Sequence, residues 1–207
     1  KILWNDKVGQ ISLAVTTLFW GAGATLQFIV LLWAQVHLNM TLDKAAMLQG
    51  IVAVGVILGS VIAGKLISLK NSIKVLPTGI LMGLVVPMMT LTSSIVPASV
   101  LLIIIGVLAG SFVVPMNALL QHRGYVTLSA GQSIAVQNFN ENLNVLFMLG
   151  IYSFLLYANL EINTIVVLFG AFVAITMYAV TIKCTHNQKI VDFDTMIGDK
   201  RAATLQK

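Results

Sequence analysis

Val100-Leu-Leu-Ile-Ile-Ile-Gly-Val-Leu-Ala-Gly110 is a run of eleven residues with no charged or amide side chain. It lies in a longer segment, 98–121, that contains no Lys, Arg, Asp or Glu. At 1.5 Å per residue, a helix of that length exceeds the roughly 30 Å hydrocarbon layer of a bilayer. The segment therefore predicts a membrane-spanning helix.

The composition of the whole chain agrees with this prediction. The chain has 207 residues, 58% of them hydrophobic and 9% charged, with a mean hydropathy of +0.95, whereas soluble domains carry about 25% charged residues. The net charge of +5 does not indicate a nucleic-acid partner, because the basic residues lie between apolar segments. The single cysteine, Cys184, follows the last apolar segment and has no partner for a disulfide within the chain.

Six apolar segments recur along the chain and predict an all-α membrane protein with six transmembrane helices. A closed β-barrel is the other structure that satisfies the backbone in lipid, but its strands alternate apolar and polar residues, and these segments do not. The fifth segment differs from the others because Glu141 lies inside it. The predicted helices span residues 8–35, 45–66, 75–95, 98–121, 132–158 and 162–183.

The basic residues predict the orientation of the helices. If both ends of the chain are cytoplasmic, eleven of the twelve Lys and Arg lie on the cytoplasmic side and only Lys44 lies outside. This excess of basic residues inside is what the positive-inside rule predicts. We therefore expect residues 1–183 to form the bundle and 184–207 to form a polar, solvated cytoplasmic tail, with a minor role at the anionic leaflet as the alternative. Trp4, Trp33 and Tyr157 lie near the ends of spans and are expected to form an interfacial belt.

Glycines spaced four residues apart predict close contacts between helices, since they let two backbones approach. A second interpretation is that they form sliding surfaces in a bundle that moves. Pro87 and Pro115 lie within spans and are expected to bend them. The glycine pairs are Gly55 with Gly59, Gly79 with Gly83, and Gly106 with Gly110.

The fifth helix carries a polar stripe that a lipid-facing helix would not need. At 100° per residue, the stripe contains Ser133, Gln137, Glu141, Asn144, Met148 and Tyr152, with Asn138 and Asn140 on its margins. A carboxylate inside a span is costly unless it is protonated, paired or hydrated. One interpretation is a structural lock between helices. The other, favoured by the number of amides beside Glu141, is a polar cavity.

Two further helices have polar faces that suggest a common interior with the fifth. The first helix carries Thr16, Trp20, Gly23 and Gln27 on one stripe, and the fourth carries Gly106, Gly110, Asn117 and Gln121. His122 and Arg123 follow the fourth helix and are interpreted as topology anchors rather than substrate ligands. The sequence contains no metal-binding cluster, nucleophile–base arrangement or phosphate loop, so we expect neither enzymatic activity nor a cofactor.

The run Gly131-Gln-Ser-Ile-Ala-Val-Gln-Asn-Phe-Asn-Glu-Asn142 resembles the same region of bacterial lysophospholipid transporters. Three further segments resemble that family in the same order: Leu18-Phe-Trp-Gly-Ala-Gly23, Pro77-Thr-Gly-Ile-Leu-Met-Gly83 and Phe112-Val-Val-Pro-Met-Asn-Ala-Leu-Leu-Gln121. The family belongs to the major facilitator superfamily, whose members have two six-helix halves. The resemblance therefore implies that this chain is the C-terminal half, and the absence of Met at position 1 agrees with a fragment.

The resemblance also implies a function. Such a protein moves lysophosphatidylethanolamine and lysophosphatidylglycerol from the outer to the inner leaflet of the bacterial inner membrane by alternating access, and an acyltransferase then restores the diacyl lipid. Relatives can carry a basic residue at the position of Gln27, which here is a neutral amide. Two other hypotheses stay open: a permease for a small soluble solute or drug, and a membrane assembly subunit without transport. The residues expected to line the substrate cavity are Glu141, Gln137, Asn138, Asn144, Asn140, Trp20, Gln27 and Asn117.

Overall fold

The computed structural model describes residues 2–198, and within that range the chain is helical throughout, with short connections and no strand. Most helices are long enough to cross a bilayer, as the sequence predicts. The α-helices are α1 (Ile2–Asn5), α2 (Gly9–His37), α3 (Leu42–Leu66), α4 (Leu76–Val85), α5 (Ile95–Thr127), α6 (Ala130–Tyr157), α7 (Ile162–Ile190) and α8 (Phe193–Gly198).

Five helical segments have the length and apolar composition of membrane spans. They are α2, α3, the continuous segment Leu69–Leu91, α5 and α7. This confirms an all-α, multi-pass membrane protein. Helix α6 is as long as its neighbours, but the amides and Glu141 in its first half keep it less apolar than the five. The sixth predicted span therefore exists as a helix, while its position in the membrane stays a prediction.

The third span is not α-helical along its whole length. A 3₁₀ helix, Leu69–Val75, precedes α4, and another, Val86–Leu91, follows it. Proline stands near the start of both α4 and the second 3₁₀ helix, at Pro77 and Pro87. Because proline lacks an N–H and crowds the preceding turn, Pro87 accounts for the change of helix type where a bend was predicted.

The tightest helix pair is α3 against α5, and glycines line its contact. A Cβ atom on Gly59 would fall on the carbonyl oxygen of Val107, and one on Gly110 would fall on that of Val56. Gly55 and Gly106 meet each other across the same contact. The stripe predicted for the fourth helix lies on α5. Its first two residues, Gly106 and Gly110, face α3 and do not line an interior shared with α6.

Trp33 differs from its predicted place in an interfacial belt. Its side chain is fully buried and stacks on His37 with ring centroids 5.5 Å apart. His37 in turn lies 2.9 Å from the carbonyl oxygen of Thr92 and 3.2 Å from the side-chain nitrogen of Asn163. The indole therefore lies inside the bundle, next to contacts that join α2, the end of the third span and α7. Trp4 and Tyr157, in contrast, are exposed.

The end of the chain differs from the predicted solvated tail at 184–207. Helix α7 continues past residue 183 to Ile190, and α8 then folds back against the bundle. Phe193 and Ile197 of α8 are buried, so apolar side chains that lie outside any long apolar run still belong to the core. The rest of the predicted tail, 199–207, lies outside the described residues.

Candidate functional site

Glu141 lies at the centre of a cluster of polar side chains between α2, α5 and α6. It is only 9% exposed. Gln137 Nε2 donates to Glu141 Oε1 at 2.8 Å and lies 3.2 Å from Asn117 Oδ1. Thr16 of α2 lies beside the carboxylate, with its buried hydroxyl donating to the Leu13 carbonyl oxygen at 3.3 Å. The carboxylate thus accepts a hydrogen bond from Gln137, and the same amide links it to Asn117 of α5.

The sequence positions this cluster through helical periodicity. Gln137 and Glu141 are four residues apart and therefore neighbours on one face of α6, and that face turns toward α2 and α5. At the start of α6, the Ser133 hydroxyl occupies the space that a Cβ on Gly124 would need. Helix α6 can therefore approach the end of α5 closely enough for Gln137 to reach Asn117.

Farther along α6, the same stripe holds the helix against α2. Asn144 Nδ2 donates to the Thr17 carbonyl oxygen at 2.8 Å, and Tyr152 Oη donates to the Phe28 carbonyl oxygen at 3.4 Å. Both bonds end on backbone carbonyls of α2. The part of the stripe from Asn144 to Tyr152 therefore packs α6 against α2, in agreement with the interpretation of the stripe as a structural lock between helices.

The other residues predicted for the cavity separate into two groups. Asn138 is exposed at the margin of the stripe, and Asn140 donates to the carbonyl oxygen of Val136 in its own helix at 2.7 Å. Trp20 and Gln27 lie on the exposed side of α2. Not all eight side chains therefore converge on one polar chamber.

Trp20 and Gln27 instead line an apolar cavity of about 550 Å³ between α2, α3 and α5. Its walls include Val52, Val56 and Ile105, and Val145 of α6 and Phe169 of α7 also reach it. Its polar groups are few. Sequence reasoning missed Gln49, whose Nε2 donates to the Gln27 carbonyl oxygen at 2.8 Å at the edge of this cavity, because Gln49 is the single amide of α3 and forms no stripe with other polar residues.

The cavity and the polar cluster are neighbours along α2. Thr16 belongs to the cluster, and Trp20, one helical turn later, belongs to the cavity wall. On α6, Glu141 belongs to the cluster, and Val145, one helical turn later, lines the cavity. The arrangement places hydrogen-bonding groups beside an apolar space, which suits a molecule that has a polar end and an apolar end.

Electrostatically, the cluster contains one carboxylate and no cation. Within residues 2–198 the one ion pair is Asp6 with Arg123, and no group of His, Cys, Asp or Glu side chains in that range could hold a metal ion. Glu141 therefore has a hydrogen-bond donor in Gln137 but no charged partner inside the described part of the chain.

Comparison with known proteins gives one clear similarity. The chain is 45% identical over 182 residues to the lysophospholipid transporter LplT of Shigella flexneri, and 44% identical over the same length to LplT of Escherichia coli O1:K1. Both matches cover 87% of this chain and 46% of the relative. The chain thus spans about half the length of the curated relatives it matches, and the resemblance to lysophospholipid transporters is confirmed.

Neither of the other comparisons adds a family or a fold. No protein-family model matches the chain, and no solved structure matches it.

Proposed function

We propose that this chain is the C-terminal six-helix half of a lysophospholipid transporter of the major facilitator superfamily. In this proposal the whole protein lies in the bacterial inner membrane with both ends of this chain in the cytoplasm. It moves lysophosphatidylethanolamine and lysophosphatidylglycerol from the outer to the inner leaflet. The observation that carries the proposal is the 44–45% identity to lysophospholipid transporters over 87% of the chain.

The local geometry supports an amphiphilic substrate. The polar cluster around Glu141 provides donors and acceptors for a glycerophosphate headgroup, and the neighbouring cavity has room for part of an acyl chain. The tail would lie along Val52, Val56 and Ile105, with Trp20 at the boundary between the two regions. A small soluble solute has no long apolar group to bury in this space.

The charge of Glu141 restricts its role. An ionised carboxylate repels a phosphate, so the amides of Gln137 and Asn117 are the groups of the cluster that suit the phosphate. The ammonium of an ethanolamine headgroup, or a cation of the other half, suits Glu141. Either partner would supply the opposite charge that a carboxylate inside a span needs.

Transport requires the other half of the protein. Carriers of this architecture rock two helical bundles about a site near the middle of the membrane. We propose that the exposed sides of α2 and α6, which carry Trp20 and Asn138, meet the other half. Lysolipid delivered to the inner leaflet would then be a substrate for an acyltransferase, the expected functional partner.

Replacing Glu141 with Gln in the full-length protein tests the proposal. We expect lysolipid flipping in proteoliposomes to fall at least tenfold, as removal of one well-placed charged hydrogen bond costs about 1.5–3 kcal/mol. Membrane insertion should be unchanged, because the amide removes a charge from the span. Glu161→Gln is the matched control, since Glu161 is exposed at the start of α7.

Two results would count against the proposal. Unchanged flipping in Glu141→Gln would exclude the role of the cluster. Competition by water-soluble solutes but not by lysolipid would favour a permease for soluble molecules. Photo-cross-linking distinguishes the third hypothesis: if lipid is captured beside Tyr152 and Glu141 and no second half is found, the chain is a non-transporting subunit.

A further inference from the structure

A second cavity, of about 500 Å³, lies at the end of the bundle that the topology assigns to the cytoplasm. Four elements form it: the 3₁₀ helix Leu69–Val75, the start of α4, the last turns of α7, and the start of α8. None of the side chains around Glu141 lines it. The substrate proposed above does not account for this cavity.

The cavity has a positive rim. Lys70 and Lys74 line it, against the single carboxylate of Asp194. Neither lysine forms an ion pair with any residue in the range 2–198. Two ammonium groups at one opening can bind a phosphate group through charge-assisted hydrogen bonds.

The rim also offers uncharged hydrogen-bonding groups. Thr181 and Thr185 donate their hydroxyl protons to carbonyl oxygens of their own helix, at 2.9 and 3.1 Å, so their oxygens are free to accept. Gln188 lines the same side of the cavity and can donate through its amide. These groups suit the hydroxyls of a glycerol headgroup next to the phosphate.

The floor of the cavity is apolar. Leu76, Cys184 and Phe193 are buried there, and Ile73 and Pro77 add further apolar surface. A free inorganic anion gains nothing from such a floor, whereas the glycerol and the upper acyl carbons of a lipid can pack on it. Basic pockets between transmembrane helices at the cytoplasmic surface are known to bind anionic lipid headgroups.

We propose that this cavity binds the phosphate and glycerol headgroup of an anionic phospholipid of the cytoplasmic leaflet, with Lys70 and Lys74 as the phosphate ligands. The site is separate from the substrate pathway and would hold a resident lipid. By bridging the third span and α7–α8, that lipid would fasten α8 to the bundle.

Native mass spectrometry of the full-length protein in detergent tests the site with phosphatidylglycerol as the probe. The variant is the double substitution Lys70→Gln and Lys74→Gln. The matched control is Lys183→Gln and Lys189→Gln, because these lysines are exposed near the end of α7 and do not line the cavity. We expect the affinity for phosphatidylglycerol to fall about tenfold in the variant and to stay unchanged in the control.

Three results would overturn the proposal. Equal losses in both double variants would indicate general attraction to positive charge. Equal binding of phosphatidylethanolamine and phosphatidylglycerol by the unmodified protein would exclude selection for an anionic lipid. Binding of inorganic phosphate that is lost in Lys70→Gln and Lys74→Gln, while lipid binding is retained, would assign the cavity to a soluble anion. None of these measurements depends on lysolipid transport.

Discussion

Arg123 holds together three parts of the chain that are far apart in sequence. Its Nη2 lies 2.5 Å from Asp6 Oδ2, its Nε lies 3.2 Å from Asp6 Oδ1, and its Nη1 donates to the Met196 carbonyl oxygen at 2.6 Å. The two side chains are 5% and 8% exposed. The guanidinium therefore joins the start of α2, the end of α5 and α8 at one point.

Replacing Arg123 with Leu should destabilise the protein strongly. The carboxylate of Asp6 would keep the hydrogen bond from the Gly9 N–H but stay buried without a charged partner, and breaking one side of a buried pair costs about 3–5 kcal/mol. We expect a clear drop in the melting temperature of the full-length protein in detergent. In the double variant with Asp6→Asn, much of this loss should be recovered, because no charge is left unpaired.

A strictly additive effect of the two substitutions would contradict this account. It would mean that Arg123 and Asp6 contribute independently, as solvated topology anchors would.

Gly21 is required by a neighbouring amide rather than by its own backbone. A Cβ at this position would collide with the Nδ2 of Asn144, the atom that donates to Thr17 O. Gly23, two residues later, has open space around its position in the described structure. The pair provides a controlled comparison on one helix.

Gly21→Ala should therefore lower stability by about 1–3 kcal/mol, the usual cost of inserting a methyl group into a packed contact. Gly23→Ala should leave stability unchanged or slightly higher, since alanine is the better helix former. Differential scanning fluorimetry of both variants checks this. Equal melting temperatures would show that Asn144 can move aside without loss.

At the scale of the elements, the contact of α3 with α5 depends on backbone approach. Because a Cβ on Gly59 would fall on the carbonyl oxygen of Val107, the two helices would have to separate to accept even a methyl group. Backbone atoms cannot move aside as a flexible side chain can. We expect this contact to tolerate substitution less well than the contact at Gly21.

Gly59→Ala is expected to reduce the fraction of monodisperse protein that survives stepwise heating in detergent, by more than Gly21→Ala does. Gly64→Ala is the control, because Gly64 lies on the same helix with open space at its Cβ position. If Gly59→Ala survives heating as well as Gly64→Ala, the contact is looser than the structure indicates and the sliding-surface interpretation gains support.

Sequence patterns predicted the helical elements well, because hydropathy is a local property. The predicted segment 98–121 lies inside Ile95–Thr127, and 8–35 nearly coincides with Gly9–His37. The end of α7 was missed since Lys183, His186 and Lys189 make that stretch polar. The burial of Phe193 depends on contacts with distant parts of the chain, and no local pattern encodes them.

The candidate site could be predicted only in part for the same reason. Periodicity placed Gln137 and Glu141 on one face of α6, and the structure has them in contact. It did not show which helix each stripe meets: Gly110 meets α3, while Asn117 meets α6. Arg123 and Asp6 are separated by 117 positions, so no local pattern indicated that they form an ion pair.

At the scale of the whole molecule, the outer surface has two kinds of face. The outer sides of α3 and α7 present apolar residues such as Leu58 and Ile175, as a lipid-facing surface does. Helix α6 instead presents Asn138 and Asn142 among apolar neighbours. Asn142 Nδ2 donates to the Asn138 carbonyl oxygen at 2.8 Å. The exposed side-chain amide of Asn138 needs a partner or water within a membrane, which is the physical reason to expect the proposed other half against α6.

Cysteine labelling of the full-length protein distinguishes these faces. A cysteine at Asn138 should react with a membrane-impermeant maleimide in inside-out vesicles, because in the proposed mechanism the gap between the halves admits water when the protein opens to the cytoplasm. A cysteine at Ile175 should not react, since lipid covers that side of α7. The native Cys184 is buried and should contribute little background, which Cys184→Ser checks.

Lysophospholipid should slow the labelling at position 138 if the substrate enters the gap beside α6. The slowing should depend on lipid concentration and should be weaker in Glu141→Gln, because that variant loses the carboxylate proposed to hold the headgroup. Reaction at position 175 but not at 138 would place α6 against lipid and reverse the assignment of the two faces. The other half would then have to pack on α3 or α7, and the amides of α6 would need another explanation.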